Sequence, residues 1–347
     1  MNSSRSDKTA HDRLRVSKYH AIGNSYLVLD PRDLLAADRW LSERADGAVG
    51  PATDLVKRLC DEGRGIGSNG LLFGPIELPG SAFGLCIINS DGTYSGFSGN
   101  GIRIFAKYLL DQGLVQRGAS FVVQTLLDDD THIPREVPIR TNESEDGCID
   151  VTLPYPPLFG PDAIETDHGA FSALPDGGKG ISFAVNSIAA VGEAITGVKE
   201  AWRNSTFVDV GNPHCTTFVQ NPAHLPSRQE LRSHNEALRS ISFRPDPGQD
   251  HAPTFRHGAN LQWVKIRDRG LIDLVVYERG EGPTEASGSS AAAAASAAFA
   301  RGLVGRNVTV NMPGGSLAIK IQADGDKIAS VTLSGFATRI LEARVDV

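Results

Sequence analysis

Short apolar runs separated by glycine-rich turns dominate the chain, a pattern typical of β-strands. Strands are predicted at 26–29, 71–73, 85–88, 121–123, 149–153, 206–210, 261–266, 271–277 and 308–310. Helical periodicity is clearest at 102–110 and 291–300. Because strands dominate and long helices are few, the pattern predicts an α+β fold rather than a doubly wound sheet.

Changes in composition indicate where the chain divides. The polar residues 1–12 are typical of a disordered tail. The stretch 126–146 is acidic, contains three consecutive aspartates and ends just before a predicted strand, which places a domain boundary near residue 145. The turn-rich residues 244–258 are predicted to form a loop within the second half.

Composition and charge exclude several classes of protein. The 347 residues are 40% hydrophobic and 22% charged, as in soluble globular proteins. A net charge of −7 without a basic run argues against nucleic-acid binding. The four cysteines form no CxxC pair, so neither a zinc site nor a disulfide framework is indicated. No signal peptide or membrane-spanning run is apparent, and a cytoplasmic protein without membrane association is expected.

An internal repeat relates the two halves of the sequence. Asn24 ends a Gly-Asn motif and lies 74 positions before Ser98, while Asn212 ends a second such motif 75 positions before Ser287. Each serine is followed by a glycine and then by a predicted helix. Two matched motifs at nearly equal spacing predict duplicated domains.

The two Ser-Gly-helix junctions are candidates for binding an anion. The first turn of a helix has unpaired backbone N–H groups and a partial positive charge, and glycine lets a ligand approach the backbone closely. Two junctions are able to hold one carboxylate from both sides. The alternative is that Ser98 and Ser287 are ordinary helix N-caps. A polar residue lies nine positions before each serine, Asn89 in the first half and Glu278 in the second.

The motifs around these junctions resemble those of the diaminopimelate epimerase family. They are HAIGN at 20–24, GIG at 65–67, NSDG at 89–92 with GNG at 99–101, GNPH at 211–214, YERG at 277–280 and PGG at 313–315. They follow the family's order and extend from residue 15 to about residue 345. Each motif alone is weak, whereas the ordered set is specific.

The resemblance implies two pseudo-symmetric domains, each a mainly antiparallel sheet wrapped around a central helix, with the active site in the interdomain cleft. The first domain would comprise residues 13–145 plus about 335–347, and the second residues 146–334. Family members need no metal, pyridoxal phosphate or nucleotide, so no cofactor is expected. One cysteine thiolate removes a proton from the α-carbon, and a second cysteine returns one.

The resemblance also assigns roles to individual positions. Ser98 and Ser287 stand where the family has its two catalytic cysteines, and His214 and Glu278 match groups beside the thiols. The expected substrate-binding residues comprise the carboxylate-binding backbone and the polar groups for the far end of the substrate: Gly99, Asn100, Gly288, Ser289, Asn24, Asn89, Asn212, Asn260 and Arg279.

Serine in place of both cysteines leaves three interpretations open. A serine hydroxyl is far less acidic than a thiol and needs an adjacent base to act. The favoured interpretation is an isomerase that shifts a more acidic proton on an amino-acid-like substrate, for example a 1,3-shift of a conjugated double bond, as in routes to the 4-alkylproline units of antibiotics. The alternatives are a diaminopimelate epimerase with substituted cysteines and a silent amino-acid-binding protein. The sequence leaves a homodimer open.

Overall fold

The computed structural model describes residues 13–34, 41–43, 49–80, 82–126, 134–153, 156–159, 182–183, 205–242, 258–325 and 327–346. The tail 1–12 and nearly all of the predicted loop 244–258 lie outside these residues. The chain divides into two compact units, residues 1–149 with 336–347 and residues 150–335. It passes between the units within two strands, Cys148–Thr152 and Lys327–Phe336.

The first unit is built mainly of strands, as predicted. Its other strands are Arg13–Ala21, Asn24–Leu29, Leu41–Glu43, Val49–Pro51, Gly70–Glu77, Ala82–Asn89, Tyr94–Ser95, Ser120–Thr125, Arg135–Thr141 and Thr338–Asp346. Its helices are Pro31–Leu34, Thr53–Cys60 and Gly99–Asp111. Among the described residues, the helix Gly99–Asp111 is the longest in this unit, and it is buried over almost its whole length.

The second unit has the same character. Its other strands are Leu158–Phe159, Ser182–Phe183, Ser205–Asp209, Pro213–Phe218, Asn260–Asp268, Leu271–Glu278, Gly282–Thr284, Asn307–Met312 and Gly315–Asp324. Its α-helices are Arg228–Ser233, Asn235–Ser242 and Gly288–Ala300, and residues Pro222–His224 form a 3-10 turn. The helix Gly288–Ala300 is buried on all sides over its first eleven residues, which explains why it is made almost entirely of alanine and serine.

Strand pairing shows that the two units repeat one another. Six strand pairs follow one another along the first unit, beginning with Arg13–Ala21 against Asn24–Leu29, and the fourth and fifth share the strand Ala82–Asn89. In chain order these pairs are antiparallel, parallel, antiparallel, antiparallel, parallel and antiparallel. The second unit has the same succession, beginning with Ser205–Asp209 against Pro213–Phe218. In each succession the central helix lies between the fourth and fifth pairings. The sequence repeat therefore corresponds to a repeat of structure.

The acidic stretch 126–146, which no strand was predicted to cross, contributes a strand to the first unit. Its residues Arg135–Thr141 form a strand that pairs antiparallel with Ser120–Thr125. Alternate side chains of this strand, those of Val137, Ile139 and Thr141, are buried. Acidic neighbours conceal this period-two pattern in the composition of the stretch, although it belongs to the sheet of the first unit.

Candidate functional site

Ser98 begins the central helix of the first unit. Its backbone is extended, and its Oγ accepts a hydrogen bond from the backbone N–H of Gly101 at 3.1 Å. This N-cap satisfies one of the free donors of the first helical turn. Gly99 and Asn100 are buried at the same turn. The ordinary capping role considered for Ser98 is therefore present, and it leaves the rest of the hydroxyl's hydrogen-bonding capacity to other partners.

Tyr26 contacts the Ser98 hydroxyl, and sequence reasoning missed it. The phenolic oxygen of Tyr26 lies 3.2 Å from Ser98 Oγ, and the residue is 6% exposed. Tyr26 lies opposite Gly70 in the parallel pairing of their strands. A Cβ on Gly70 would lie 2.8 Å from Tyr26 Cε1 and 2.4 Å from the Ile88 carbonyl oxygen. Only glycine at position 70 leaves room for this tyrosine ring.

The predicted asparagines of the first unit have different environments. Asn24 follows a tight turn in which Ile22 and Gly23 both have positive φ, and its buried Oδ1 has no hydrogen-bond partner among the described residues. A β-branched residue such as Ile22 is strained in the left-handed region, so the paired strands on either side must hold this turn in its conformation. The Asn89 Nδ2 donates to Thr93 Oγ1 at 2.9 Å.

Asn100 has a charged partner inside the protein. The buried Arg103 guanidinium, one turn further along the helix, donates from Nη2 to Asn100 Oδ1. Within the part of the chain that the structure describes, the buried Nε and Nη1 of Arg103 have no hydrogen-bond partner. This contact fixes the orientation of the Asn100 amide, because a guanidinium is a donor only.

Ser287 begins the central helix of the second unit and is bonded to a carboxylate. Its hydroxyl donates to Glu278 Oε2 at 2.9 Å and accepts from the Ser290 backbone N–H at 3.4 Å. Ser289 Oγ lies 3.4 Å from Ser287 Oγ. Thr284 donates to the other oxygen of Glu278 at 2.6 Å. The hairpin that joins Leu271–Glu278 to Gly282–Thr284 brings Thr284 to this carboxylate.

Glu278 has the properties of a base near neutral pH. Burial raises the pKa of its carboxyl to about 7, and the hydrogen bonds from Thr284 and Ser287 oppose this shift. The negative charge of Glu281 raises the pKa further. A carboxyl group with such a pKa both takes up and releases a proton at neutral pH.

His214 lies in a network of amides. Its Nε2 is 2.9 Å from Asn212 Oδ1, and its Nδ1 is 3.2 Å from Gln262 Oε1 and 3.4 Å from Ser290 Oγ. Burial lowers the pKa of this fully buried imidazole to about 3, and the positive charge of Arg279 lowers it further. His214 is therefore neutral at neutral pH and a weak base. Of the two candidate bases beside Ser287, the geometry favours Glu278.

The other predicted residues of the second unit lie around this network. Asn260 Oδ1 accepts the Arg279 backbone N–H at 2.8 Å, and its Nδ2 lies 3.5 Å from His214 Nε2. Asn212 Nδ2 lies 3.5 Å from Ser289 Oγ. The structure thus brings together Ser287, Ser289, Gly288, Glu278, His214, Asn212, Asn260 and the backbone of Arg279 in the second unit. The shared cleft implied by the resemblance stays a prediction.

Thr284 and Gln262 are further residues that sequence reasoning missed. Thr284 follows Glu278 by six positions across a Gly-containing turn, which is a hairpin signal. Gln262 lies two positions after Asn260 on the same strand face, and its Nε2 donates to Thr216 Oγ1 at 2.6 Å. Within the described part of the chain, no group of three or more His, Cys, Asp and Glu side chains is arranged to hold a metal ion.

Comparisons with known proteins identify the family and the fold of the chain. A family model described as diaminopimelate epimerase matches residues 206–339. The chain is 30% identical over 330 residues to diaminopimelate epimerase 2 of Nostoc sp., a match that covers 90% of each protein. Solved structures share the fold: a phenazine biosynthesis protein of the PhzF family from Bacillus anthracis has a TM-score of 0.59 at 13% identity, covering 96% of this chain and 99% of that one.

A structure of methylitaconate-delta-isomerase has a TM-score of 0.53 at 13% identity and covers 96% of each chain. At such low identity these structures show the fold alone, the two-domain, mainly β arrangement with few helices that the sequence predicts. The curated relative has both higher identity and nearly full coverage. On that ground the chain belongs to the diaminopimelate epimerase family and is an enzyme of the isomerase class.

Proposed function

We propose that the protein moves a proton on an amino-acid-like carboxylate whose reacting carbon is acidified by conjugation, so that a double bond shifts along the substrate. One observation carries this proposal. The carboxyl group of Glu278, whose pKa is about 7, accepts a hydrogen bond from Ser287, which stands at one of the two positions where the family has a catalytic cysteine. The base is therefore a carboxylate, and the hydroxyl of Ser287 is its partner.

The absence of thiols at the two junctions argues against an unactivated α-proton as the target. Serine forms no stable anion at neutral pH. The four cysteines, Cys60, Cys86, Cys148 and Cys215, are all buried and free, and none is a residue of either junction. A carboxylate is a weaker base than a thiolate, so the carbanion must be stabilised by the substrate itself, through an imine or a conjugated double bond.

The reaction begins at Glu278. Its carboxylate takes the proton from the activated carbon, either directly or through the Ser287 hydroxyl, whose own hydrogen moves to Glu278 as it accepts the substrate's. The negative charge spreads over the conjugated system of the substrate. A substrate carboxylate is held by backbone N–H groups at a helix N-terminus, where Gly288 permits close approach. Reprotonation at the far end of the conjugated system completes the shift.

The setting of the reaction follows from the substrate class. In a cyclic imine carboxylate with an alkylidene substituent, the ring carbon between the imine and the exocyclic double bond is acidic, because its carbanion is conjugated with both. The isomer of this compound is a precursor of a 4-alkylproline. We therefore place the protein in antibiotic biosynthesis, in the cytoplasm, as a cofactor-independent enzyme that acts alone or as a homodimer on a small molecule. Within the described residues, no helix is both long enough and apolar enough to span a membrane.

Incubation in deuterium oxide tests this function. We expect deuterium in a 4-alkylidene-1-pyrroline-2-carboxylate and none in LL-diaminopimelate. Mass spectrometry measures the incorporation, and NMR locates it. Rapid epimerisation of diaminopimelate would overturn the proposal in favour of the epimerase, and binding of the pyrroline without any exchange would favour a silent binding protein.

A further inference from the structure

The hydroxyl of Ser287 has all of its hydrogen-bonding capacity occupied. An ionised carboxylate only accepts, so the contact of 2.9 Å to Glu278 Oε2 uses the hydrogen of the serine. One of the two lone pairs of Ser287 Oγ accepts the Ser290 backbone N–H at 3.4 Å. The other faces Ser289 Oγ at 3.4 Å, and because Ser287 has no second hydrogen, Ser289 must be the donor in that contact.

We propose that the Glu278 carboxylate takes the proton from the substrate directly, and that Ser287 acts on this carboxylate only as a donor, held in that role by a chain of hydrogen bonds behind it. The inference rests on the proposed function and selects one of its two routes for the proton. A route through Ser287 needs a lone pair on its oxygen to accept the substrate's proton, and both lone pairs are occupied. Each oxygen of Glu278 accepts one hydroxyl, from Ser287 or from Thr284, and keeps a lone pair for the substrate. Glu278 is then the catalytic residue, and Ser287 is a positioning residue.

The chain of donors continues from Ser289 to His214. Since the hydrogen of Ser289 is given to Ser287, its oxygen accepts from Asn212 Nδ2, which is 3.5 Å away. The Asn212 Oδ1 then faces His214 Nε2 at 2.9 Å, and this contact requires a hydrogen on Nε2. Asn260 Nδ2 lies 3.5 Å from the same nitrogen, at the limit of a hydrogen bond, so the shorter contact determines where the hydrogen is.

Gln262 and Thr216 form the far end of the chain. Burial lowers the pKa of His214 to about 3, so the imidazole is neutral and has one hydrogen. With that hydrogen on Nε2, Nδ1 is an acceptor. The Gln262 amide has one end 3.2 Å from Nδ1 and the other 2.6 Å from Thr216 Oγ1. It fits this count when Nε2 faces the imidazole and Oε1 accepts the threonine hydroxyl, the reverse of the orientation in which Nε2 donates to Thr216. Every donor then points from Thr216 towards Glu278, and hydrogen bonds aligned in this way strengthen one another.

The protons balance with Glu278 as the group that takes and loses the proton. The C–H bond of the activated ring carbon breaks, its electron pair stays in the conjugated system of the substrate, and an O–H bond forms on the Glu278 carboxylate. Ser287 keeps its own O–H bond throughout. Protonation at the far end uses one proton from water, and Glu278 gives one proton to water, so that no oxidant, reductant or co-reactant is needed.

Ser287→Ala separates direct removal of the proton from a route through the serine. With a 4-alkylidene-1-pyrroline-2-carboxylate in deuterium oxide, we expect exchange at the ring carbon to fall by about tenfold. The pH midpoint of kcat/KM should rise by about one unit, because the carboxylate loses a donor to its charged form. The matched control is Ser296→Ala, which removes a buried hydroxyl of the same helix that has no hydrogen-bond partner among the described residues and should keep the wild-type midpoint. A loss as large as that of Glu278→Gln, or an unchanged midpoint in Ser287→Ala, would overturn the inference while leaving the proposed function standing.

NMR of protein with isotope-labelled histidine tests the chain without any substrate and without altering the helix cap. His214 should carry its hydrogen on Nε2 in the wild type, and Nδ1 should gain a hydrogen in Gln262→Glu, because a carboxylate that faces Nδ1 only accepts. A hydrogen on Nδ1 in the wild type would overturn the inference, since Asn212 would then donate to the imidazole and Ser289 would no longer donate to Ser287.

The carboxyl signal of Glu278 gives a second measurement that needs no turnover. Ser289→Ala should raise the pKa of Glu278 by less than Ser287→Ala does, because it removes a donor one step further from the carboxylate. A larger effect of Ser289→Ala would contradict the order of the chain. Absence of ring-carbon exchange in the wild type would instead overturn the proposed function and direct proton removal with it, and the NMR signals would then decide whether the chain of donors exists.

Discussion

The two helix junctions share their backbone and differ in the group behind the serine. Ser98 and Ser287 both have extended backbones, both cap a buried helix and both are followed by glycine. Ser287 donates its hydrogen to the carboxylate of Glu278, whereas Ser98 faces the hydroxyl of Tyr26. The repeated backbone therefore places a serine hydroxyl at the same position in both units, while the residue next to it determines which group the hydroxyl is hydrogen-bonded to.

A second difference lies three residues into each helix. The backbone N–H of Gly101 bonds to Ser98 at 3.1 Å, and that of Ser290 bonds to Ser287 at 3.4 Å. The side chain of Ser290 also lies 3.4 Å from His214 Nδ1, and a glycine has no such contact. The third helical residue of the second junction therefore contacts the polar network around His214, whereas the matching residue of the first junction has no side chain to make such a contact.

The largest effect is expected from removing the carboxylate of the second junction. Glu278→Gln keeps the shape of the side chain and removes the base. For a 4-alkylidene-1-pyrroline-2-carboxylate, kcat for deuterium exchange at the ring carbon that loses its proton should therefore fall by about 1000-fold. The control is Glu285→Gln, because Glu285 is an exposed residue paired with Arg228 and should exchange at the wild-type rate. Unchanged exchange in Glu278→Gln would end the assignment of the base.

The pH dependence sharpens the same assignment. A base must be deprotonated, so kcat/KM should rise with pH to a plateau, with its midpoint at a pH of about 7. Glu278→Gln should lose this rise, whereas the control Glu285→Gln should keep it. Since the folded pKa lies above the reference value of 4.5, the stabilisation from protonated Glu278 is complete below pH 4.5 and is lost as the pH rises through about 7. Denaturant titrations of wild type and Glu278→Gln at both ends of that range measure the difference.

An intermediate effect is expected at the first junction. In Gly101→Ala the new Cβ would lie 3.2 Å from Ser98 Oγ and 3.2 Å from Leu72 Cδ2, so the serine hydroxyl must shift by a few tenths of an ångström. Because this shift weakens the hydrogen bond that Ser98 accepts from the backbone N–H of residue 101, Gly101→Ala should lower the free energy of unfolding by about 1 kcal/mol, as measured by denaturant titration. Ser290→Ala changes the matching position of the other helix and keeps the backbone N–H that Ser287 accepts, so it should lower the free energy of unfolding by less. Equal losses in both variants would show that the two N-caps respond alike.

The smallest effect is expected from an exposed charge near the base. Glu281 raises the pKa of Glu278 through its negative charge. Glu281→Gln should therefore lower the pH midpoint of kcat/KM by less than about one unit, because solvent screens an exposed charge. Raising the salt concentration should reduce the difference between variant and wild type. An upward displacement of the midpoint would contradict the electrostatic explanation.

The sequence predicted those features that local patterns control. The apolar runs became strands, and the two periodic segments became the buried helices Gly99–Asp111 and Gly288–Ala300. The short helix Thr53–Cys60 was not predicted, because Ala52 at its N-cap offers no side-chain hydrogen bond. The strand Arg135–Thr141 was not predicted either, because its alternation is short and lies among acidic residues.

The chemistry of the site depended more on tertiary structure. Tyr26 and Ser98 are 72 positions apart, so no local pattern connects them. The raised pKa of Glu278 and the lowered pKa of His214 both follow from burial, a property of the folded chain. The repeat spacing did predict which residues share a role, since it placed Glu278 and Asn89 at matching positions.

The pairing of the first and last strands has a consequence for biosynthesis on the ribosome. Arg13–Ala21 pairs antiparallel with Thr338–Asp346, with Arg13 opposite Asp346. The buried side chains of Leu14 and Val16 belong to the strand Arg13–Ala21, which stays unpaired on one side until residues 338–346 have been synthesised. The carboxy-terminal unit, which comes between, emerges from the exit tunnel earlier and is free to fold first. Synthesis of residues 338–346 then becomes the event that completes the unit that was begun first.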